Sequence, residues 1–317
     1  MLFKTALCVL SLCAMLTACS SDDEQTPNNI VPEDTVPTDT TPKDSVPNDT
    51  TPKVRQLIIA EVPITRATLT DNTTTLGAAW KAGDKATCLN LTKLKLQTLL
   101  YNELTASSSA VTSAFTGSVT ECGKSDKLAL IYPHFTPATG NGSFTINLSG
   151  QKGTLDYIQE NLHYVYGVAT VESVTNNTTT ATISEMKSLL CVCKFKFKEK
   201  DTNDDIPVKT LTISYGNDET AGLPLTYTVV PKTDPAEVVS IPANLSPDPE
   251  KPKPLIIDLG TGVETTDGIY VALFPITDQK LFFSLTNKDG TYTGTATAKL
   301  KAGSYYSVTL TLVKISI

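Results

Sequence analysis

The chain has 317 residues, a formal net charge of −7, 40% hydrophobic residues and 19% charged residues. This length is enough for about two domains of ordinary size, and the composition allows a packed core. Residues 20–53 hold eight acidic residues against two lysines, a net charge of −6, so the rest of the chain is nearly neutral. We therefore expect no nucleic-acid partner, because such proteins need a basic surface.

The chain begins with a secretory leader. Lys4 precedes an apolar run over residues 6–16, which is too short to span a bilayer. The run ends in Leu-Thr-Ala-Cys at residues 16–19, which resembles the lipobox of bacterial lipoproteins, where the cysteine takes a diacylglycerol and becomes the first mature residue. The resemblance implies a signal peptide over residues 1–18, lipidation of Cys19, and an outer-membrane protein displayed at the cell surface. An ordinary leader with an incidental cysteine is the alternative.

Residues 31–53 repeat a five-residue unit with proline at its second position. Proline every fifth residue blocks helices and sheet ladders, and the segment has too few large apolar residues to form a core. The sequence therefore predicts a lipidated, disordered tether over residues 19–53. As an extended chain at about 3.1 Å per residue, it would reach at most on the order of 100 Å from the membrane.

Each full repeat also contains Asp-Thr or Asp-Ser followed by valine or threonine. This pattern resembles the O-glycosylation acceptor of the Bacteroidetes. The resemblance predicts glycans on four side chains: Thr35, Thr40, Ser45 and Thr50. A bare low-complexity linker is the alternative.

From residue 54 onward, alternating residues predict short β-strands. Residues 57–64 alternate in a first strand. Over residues 191–197 the apolar side chains share one face and the lysines the other, which is typical of a half-buried antiparallel strand. Further strands are expected at residues 128–132, 211–213, 227–229, 283–285 and 306–312.

Turn and helix signals separate these strands. Asn-Lys-Asp-Gly at residues 287–290 is typical of a hairpin turn. Short helices are predicted over residues 94–104 and 156–161. Both residues 130–133 and residues 272–275 end an apolar strand with an aromatic residue and proline. The many short strands and this repeated strand ending predict an all-β fold with two tandem β-sandwich domains, residues 54–184 and 185–317.

Several loose motifs follow in one order: Trp80-Lys-Ala-Gly-Asp84, Phe115-Thr-Gly117, Tyr132-Pro133, and residues 189–197, 270–275 and 303–310. This order, behind a lipobox, resembles the fimbrillin-like proteins of the Bacteroidetes, the pilins and accessory subunits of type V fimbriae. The resemblance covers about residues 54–317. It implies that the two sandwiches are transthyretin-like.

The resemblance also implies assembly with other fimbrial subunits by strand exchange. In that family an arginine-specific protease cuts after the first strand, which removes the lipid and the strand and opens a groove for a neighbour's strand. The bond between Arg66 and Ala67 lies where that cut would fall. An ordinary surface arginine is the alternative.

The family's stalk pilins carry a C-terminal extension that serves as the donor strand, whereas this chain stops at Ile317, soon after the last predicted strand. We therefore expect a tip, anchor or accessory subunit rather than a repeating stalk subunit. The alternative is a non-polymerising surface lipoprotein that binds a glycan or a host protein. The sequence does not identify the surface ligand in either case.

Neither catalysis nor a cofactor is expected. The two histidines, His134 and His163, have no nucleophile motif near them, and the chain has no glycine-rich phosphate loop. A metal site is not expected either, because Cys-x-Cys is a weak signal. Two arrangements stay open for Cys88, Cys122, Cys191 and Cys193: a disulfide between the first two, or four buried thiols.

Overall fold

The computed structural model describes residues 53–63, 70–72, 75–94, 101–137, 140–218, 220–239, 242, 245, 253–260 and 263–315. The sites that the sequence predicts for modification lie outside these residues: Cys19, Thr35, Thr40, Ser45, Thr50, Arg66 and Ala67. Their lipidation, glycosylation and cleavage stay predictions. The described part is nearly all-β, as the sequence predicts. No helix within the described ranges has the length and apolar character needed to cross a membrane.

In chain order, the described elements of the first half are β1 (Val54–Pro63), β2 (Thr70–Asp71), β3 (Leu76–Gly77), β4 (Lys85–Asn90), β5 (Tyr101–Ala106), β6 (Thr112–Thr120), β7 (Lys127–Tyr132), β8 (Phe144–Asn147), α1 (Leu155–Asn161), β9 (Val165–Val174), β10 (Thr178–Ile183) and β11 (Lys187–Ser188). Those of the second half are β12 (Cys191–Glu199), β13 (Thr210–Tyr215), β14 (Thr226–Val229), α2 (Pro235–Val239), β15 (Leu255–Asp258), β16 (Ile269–Leu273), β17 (Ile276–Asn287), β18 (Gly290–Leu300) and β19 (Tyr305–Ile315).

The main sheet of the first half closes on itself. Its strand order is β10-β1-β6-β5-β4-β7-β9-β11, and β10 also pairs with β9. The strands β1, β6, β5, β4, β7, β9 and β10 therefore form a ring, in which every strand has a neighbour on both sides. Leu57, Phe115 and Leu130, from three different strands, are fully buried in one core cluster within it.

The main sheet of the second half folds over into two layers. Its order is β15-β13-β17-β18-β19-β12-β16, but β18 and β19 pair only where Thr291–Thr293 meet Val313–Ile315. Phe195 of β12 and Phe283 of β17 are three strands apart in that order, yet their ring centroids lie 5.2 Å apart. The sheet must therefore bend between β18 and β19 so that its two ends enclose a common core.

A third core cluster joins the two halves. It contains residues from both, among them Leu89, Tyr166, Val192 and Phe274. A two-stranded ribbon crosses between the halves as well, because β8 pairs with β14. The division into domains at residue 184 stays a prediction.

The predicted helix over residues 94–104 is wrong at its C-terminal end, because residues 101–104 belong to strand β5. β5 pairs with both β4 and β6, and it buries Leu104 and Ala106 on alternate positions. Pairing with two neighbours thus overrides the helical spacing of the leucines. The second predicted helix is confirmed as α1, where the Thr154 hydroxyl accepts a hydrogen bond from the Tyr157 amide at 3.2 Å.

The four described cysteines are free, buried thiols, so the disulfide alternative is wrong and the apolar role is confirmed. Cys88 and Cys122 share the first core cluster, and Cys191 and Cys193 share the second. Burial raises the pKa of Cys122 to about 11. Burial also raises the pKa of Cys88, further than that of Cys122. Neutral thiols in these positions act as small apolar side chains.

Candidate strand-exchange site

Strand β1 is hydrogen-bonded on both sides. It runs antiparallel to β6, with Val54 opposite Thr120 at one end and Pro63 opposite Thr112 at the other. It runs parallel to β10 over four residue pairs, from Gln56 opposite Thr178 onward. β1 is therefore an internal strand of the ring, although it is the first strand of the described chain.

The apolar face of β1 contributes to the ring's core. Leu57, Ile59 and Val62 have no exposed surface. The register shifts between Ile59 and Val62, and this bulge brings Val62 to the same buried face despite its odd spacing. Ala60 points outward and is exposed. Burying such aliphatic side chains is worth about 1.5–3 kcal/mol each.

The residues that carry the family resemblance pack around the far end of β1. The Trp80 indole Nε1 donates a hydrogen bond to the Val62 carbonyl at 2.9 Å. The Trp80 ring lies edge-on against Phe115, 4.7 Å between centroids, and against Tyr132 at 5.4 Å. These motif residues are packing residues, as expected of large core anchors.

The turn after Trp80 explains the Lys-Ala-Gly-Asp sequence. Asp84 Oδ2 accepts a hydrogen bond from the Lys81 amide at 2.8 Å, and Gly83 between them has φ +91°, a conformation that favours glycine. Burial raises the pKa of Asp84. Burial, with the Asp84 carboxyl as a further cause, raises the pKa of Tyr132 to about 12.

Gly117 allows β5 to approach β6 closely. It lies opposite Leu57 on one side and opposite Leu104 on the other. A Cβ atom at this position would clash with the Glu103 carbonyl oxygen and would come within 2.7 Å of Leu104 Cδ2. The glycine in the Phe-Thr-Gly motif is therefore required by a backbone contact next to β1.

The two arginines of the chain differ in their position relative to β1. Arg55 lies in β1 opposite Val119, and its Nε donates a hydrogen bond to the Thr175 carbonyl at 2.8 Å. A protease needs extended, accessible backbone, which a strand paired on both sides does not offer. Arg66 follows the end of β1 at Pro63 by three residues.

Removal of β1 would open the ring without breaking any other pairing. β6 would stay paired with β5, and β10 would stay paired with β9. The other six strands would remain one open sheet in the order β6-β5-β4-β7-β9-β10. The gap would expose unpaired backbone groups on β6 and β10 and the apolar side chains that now cover Leu57 and Ile59.

One polar cluster, on the main sheet of the second half, could not be predicted from the sequence. Asp71 of β2 accepts hydrogen bonds from Lys194, Tyr270 and Tyr305. We call these four residues the Asp71 clamp. Lys194 was expected only to face solvent, and 123 residues separate it from Asp71. No periodicity rule connects residue 71 to residues 194, 270 and 305.

A scan against protein-family models finds no match, and a search of curated proteins finds none. Among solved structures, a fimbrial protein from Bacteroides ovatus ATCC 8483 is 11% identical with a TM-score of 0.35, over 84% of this chain and 51% of that one. The chain thus spans about half the length of that protein.

Two further structures match nearly their whole length. A protein from Bacteroides fragilis NCTC 9343, described as a candidate cell adhesion protein, is 11% identical with a TM-score of 0.41, over 83% of this chain and 94% of that one. Another so described, from Parabacteroides distasonis ATCC 8503, is 9% identical with a TM-score of 0.40, over 84% and 96%. At these values the likeness transfers no function.

Proposed function

We propose that this chain is a structural subunit of surface fimbriae, in which β1 is a removable strand, rather than an enzyme. The observation that supports this most directly is the position of β1 in the ring. It is bonded on both sides and buries three aliphatic side chains, yet its loss leaves every other strand pair in place. It is also followed within three residues by Arg66.

In this proposal, cleavage after Arg66 separates β1 and the lipid tether from the rest of the chain. The gap between β6 and β10 then needs a replacement, because unpaired backbone groups and exposed apolar side chains are both costly. A strand from a neighbouring subunit fills it by β-augmentation. The partner class is therefore other fimbrial subunits.

The finer parts of the proposal rest on the sequence. Lipid on Cys19 anchors the precursor in the outer membrane, and the tether, with glycans on Thr35, Thr40, Ser45 and Thr50, lifts it from the surface. The main sheets of the two halves form the two tandem β-sandwich domains of this proposal. Among fimbrial positions, we infer a tip, anchor or accessory position rather than a repeating stalk position.

The test is the N-terminus of the surface form in the cells that make the protein. We expect the filament fraction to begin at Ala67 and to lack lipid. If the protease is arginine-specific, Arg66→Lys should abolish the N-terminus at Ala67. The matched change Arg55→Lys in β1 should leave that N-terminus unchanged. A surface form that still begins at the lipidated Cys19, with no filament fraction, would refute the proposal.

A second candidate function is binding of a neutral saccharide, which one pocket favours. The pocket has a volume of about 530 Å³ and lies beside the β8–β14 ribbon. Phe144 stands between Phe135 and Tyr164, with ring centroids 4.9 Å and 6.1 Å away. Four residues add hydroxyl groups to the lining, Thr136, Ser143, Thr145 and Thr228, and Pro133 and His134 complete it. Aromatic rings beside neutral hydroxyls suit a sugar better than a charged ligand.

Calorimetric titration with neutral oligosaccharides tests this second function. Tyr164→Ala should weaken any binding at least tenfold, and Tyr101→Ala, at an exposed tyrosine outside the pocket, should not. No heat from any saccharide, or equal binding by both variants, would remove this candidate.

A further inference from the structure

The Asp71 clamp connects the segment that follows Arg66 to the second sheet. Asp71 Oδ2 accepts hydrogen bonds from Lys194 Nζ at 2.7 Å and from the Tyr270 hydroxyl at 2.5 Å. Asp71 Oδ1 accepts one from the Tyr305 hydroxyl at 3.1 Å. The three donors lie on β12, β16 and β19, which are adjacent in the sheet, so a single carboxylate spans three strands.

The clamp is well shielded from water. The side chains of Lys194 and Asp71 are 19% and 16% exposed. The Lys194 ammonium also lies 5.0 Å from the centre of the Tyr270 ring. Hydrogen bonding to Asp71 and Tyr270 raises the pKa of Lys194 despite its partial burial. Charge-assisted bonds in such a setting are stronger than those of an exposed pair.

The hairpin that carries Asp71 is very short. β2 and β3 share two residue pairs, Thr70 with Gly77 and Asp71 with Leu76. A two-stranded hairpin alone is marginal in water, and this one is far shorter than most. Leu76, which is 9% exposed, packs into the core shared by the two halves. The clamp and this leucine thus both hold the hairpin on the fold.

We propose that Asp71 moors the N-terminus that processing creates, an inference that rests on the proposed function. A cut after Arg66 would make Ala67 the first residue, four positions before Asp71. The clamp then keeps residues 70–77 on the second sheet, so that β1 departs without pulling them away. A moored hairpin keeps Trp80, three residues after β3, at the end of the groove that β1 leaves.

Hydrogen-exchange mass spectrometry of the full mature chain tests this, before and after digestion with an arginine-specific protease. In the wild type, amides of residues 70–77 should keep their protection after the cut. Asp71→Asn should raise their exchange rate about tenfold or more in the cut protein. Asp205→Asn is the matched control, because it removes the same charge from an exposed ion pair with Lys198. Lys194→Met provides a second variant that retains packing over Tyr270.

Each outcome has one meaning. Equal protection in the wild type, Asp71→Asn and Lys194→Met after the cut would overturn the mooring while leaving the proposed function intact. Failure of the protease to cut at Arg66 would instead count against the proposed function. In that case, the same comparison in the uncut chain still decides whether Asp71 holds the hairpin, since unchanged exchange there would overturn the clamp as well.

Discussion

Ile59→Ala should loosen β1 much more than the same change one residue earlier. Ile59 is fully buried in the ring, and truncating such an isoleucine to alanine costs about 2–5 kcal/mol. Ile58 is half-buried on the opposite face, and Ile58→Ala should cost about 1 kcal/mol. The two changes alter β-propensity equally, so the difference between them reports on the buried face. In thermal unfolding of the uncut chain, the melting temperature of Ile59→Ala should lie about 4–20 °C below that of the wild type.

The same pair of variants measures how firmly β1 is held after the chain is cut. With the bond after Arg66 cleaved, β1 remains only through its ladders and its buried side chains. A loss of 2–5 kcal/mol then corresponds to a dissociation constant about 30-fold to several-thousand-fold weaker. Size-exclusion chromatography with intact-mass detection of the fragment ending at Arg66 gives the fraction retained. Equal retention of β1 in both variants would refute the assignment of the buried face.

Three further experiments test the packing and charges of the first half of the chain. Gly117→Ala should destabilise the protein by about 1–3 kcal/mol or more in urea unfolding, because its Cβ would meet the Glu103 carbonyl oxygen, whereas Gly140→Ala, with no atom within 4 Å, should be nearly neutral. Since burial raises the pKa of Cys122 to about 11, native protein at pH 8 should resist iodoacetamide at this thiol and react in urea; native labelling would contradict its burial. Because the raised pKa of Asp84 makes the folded state hold its proton more tightly than the unfolded chain, this carboxyl destabilises the fold as pH rises above 3.8. The stability of Asp84→Asn relative to the wild type should therefore increase from pH 3 to pH 7, and a constant difference would contradict that sign.

Elements that depend on neighbours in sequence were predictable. The alternation of buried apolar residues and lysines in β12 is confirmed, but the expected antiparallel pairing holds only with β16, because β12 runs parallel to β19. The tight turn from Asn287 to Gly290 between β17 and β18 is confirmed. α1 begins at a threonine cap and is confirmed within one residue. In each case the local pattern and the final environment agree, so tertiary contacts had nothing to override.

Features that depend on distant partners were not predictable from one sequence. The parallel pairing of β1 with β10 completes the ring and joins Gln56 to Thr178, far apart in sequence, so no alternation pattern encodes it. The leucine spacing over residues 94–104 predicts a helix, but β5 forms a strand at the end of this segment because it pairs with both β4 and β6. The Asp71 clamp joins residues 123 to 234 positions apart. Lys194, between Cys193 and Phe195, has the local pattern of a solvent-facing residue.

The geometry of β1 limits what can replace it. A replacement strand must offer apolar side chains with the spacing of Leu57, Ile59 and Val62, which includes the bulge after Ile59. It must also present amide groups to both β6 and β10, so a proline inside the paired stretch would cost a ladder bond on one side. The tether repeats carry proline at every fifth position over residues 31–53, while β1 keeps its only proline at the very end, Pro63. The tether of a neighbouring chain is therefore a poor donor, and a donor segment should be sought among proline-free stretches of at least eight residues with this uneven apolar spacing.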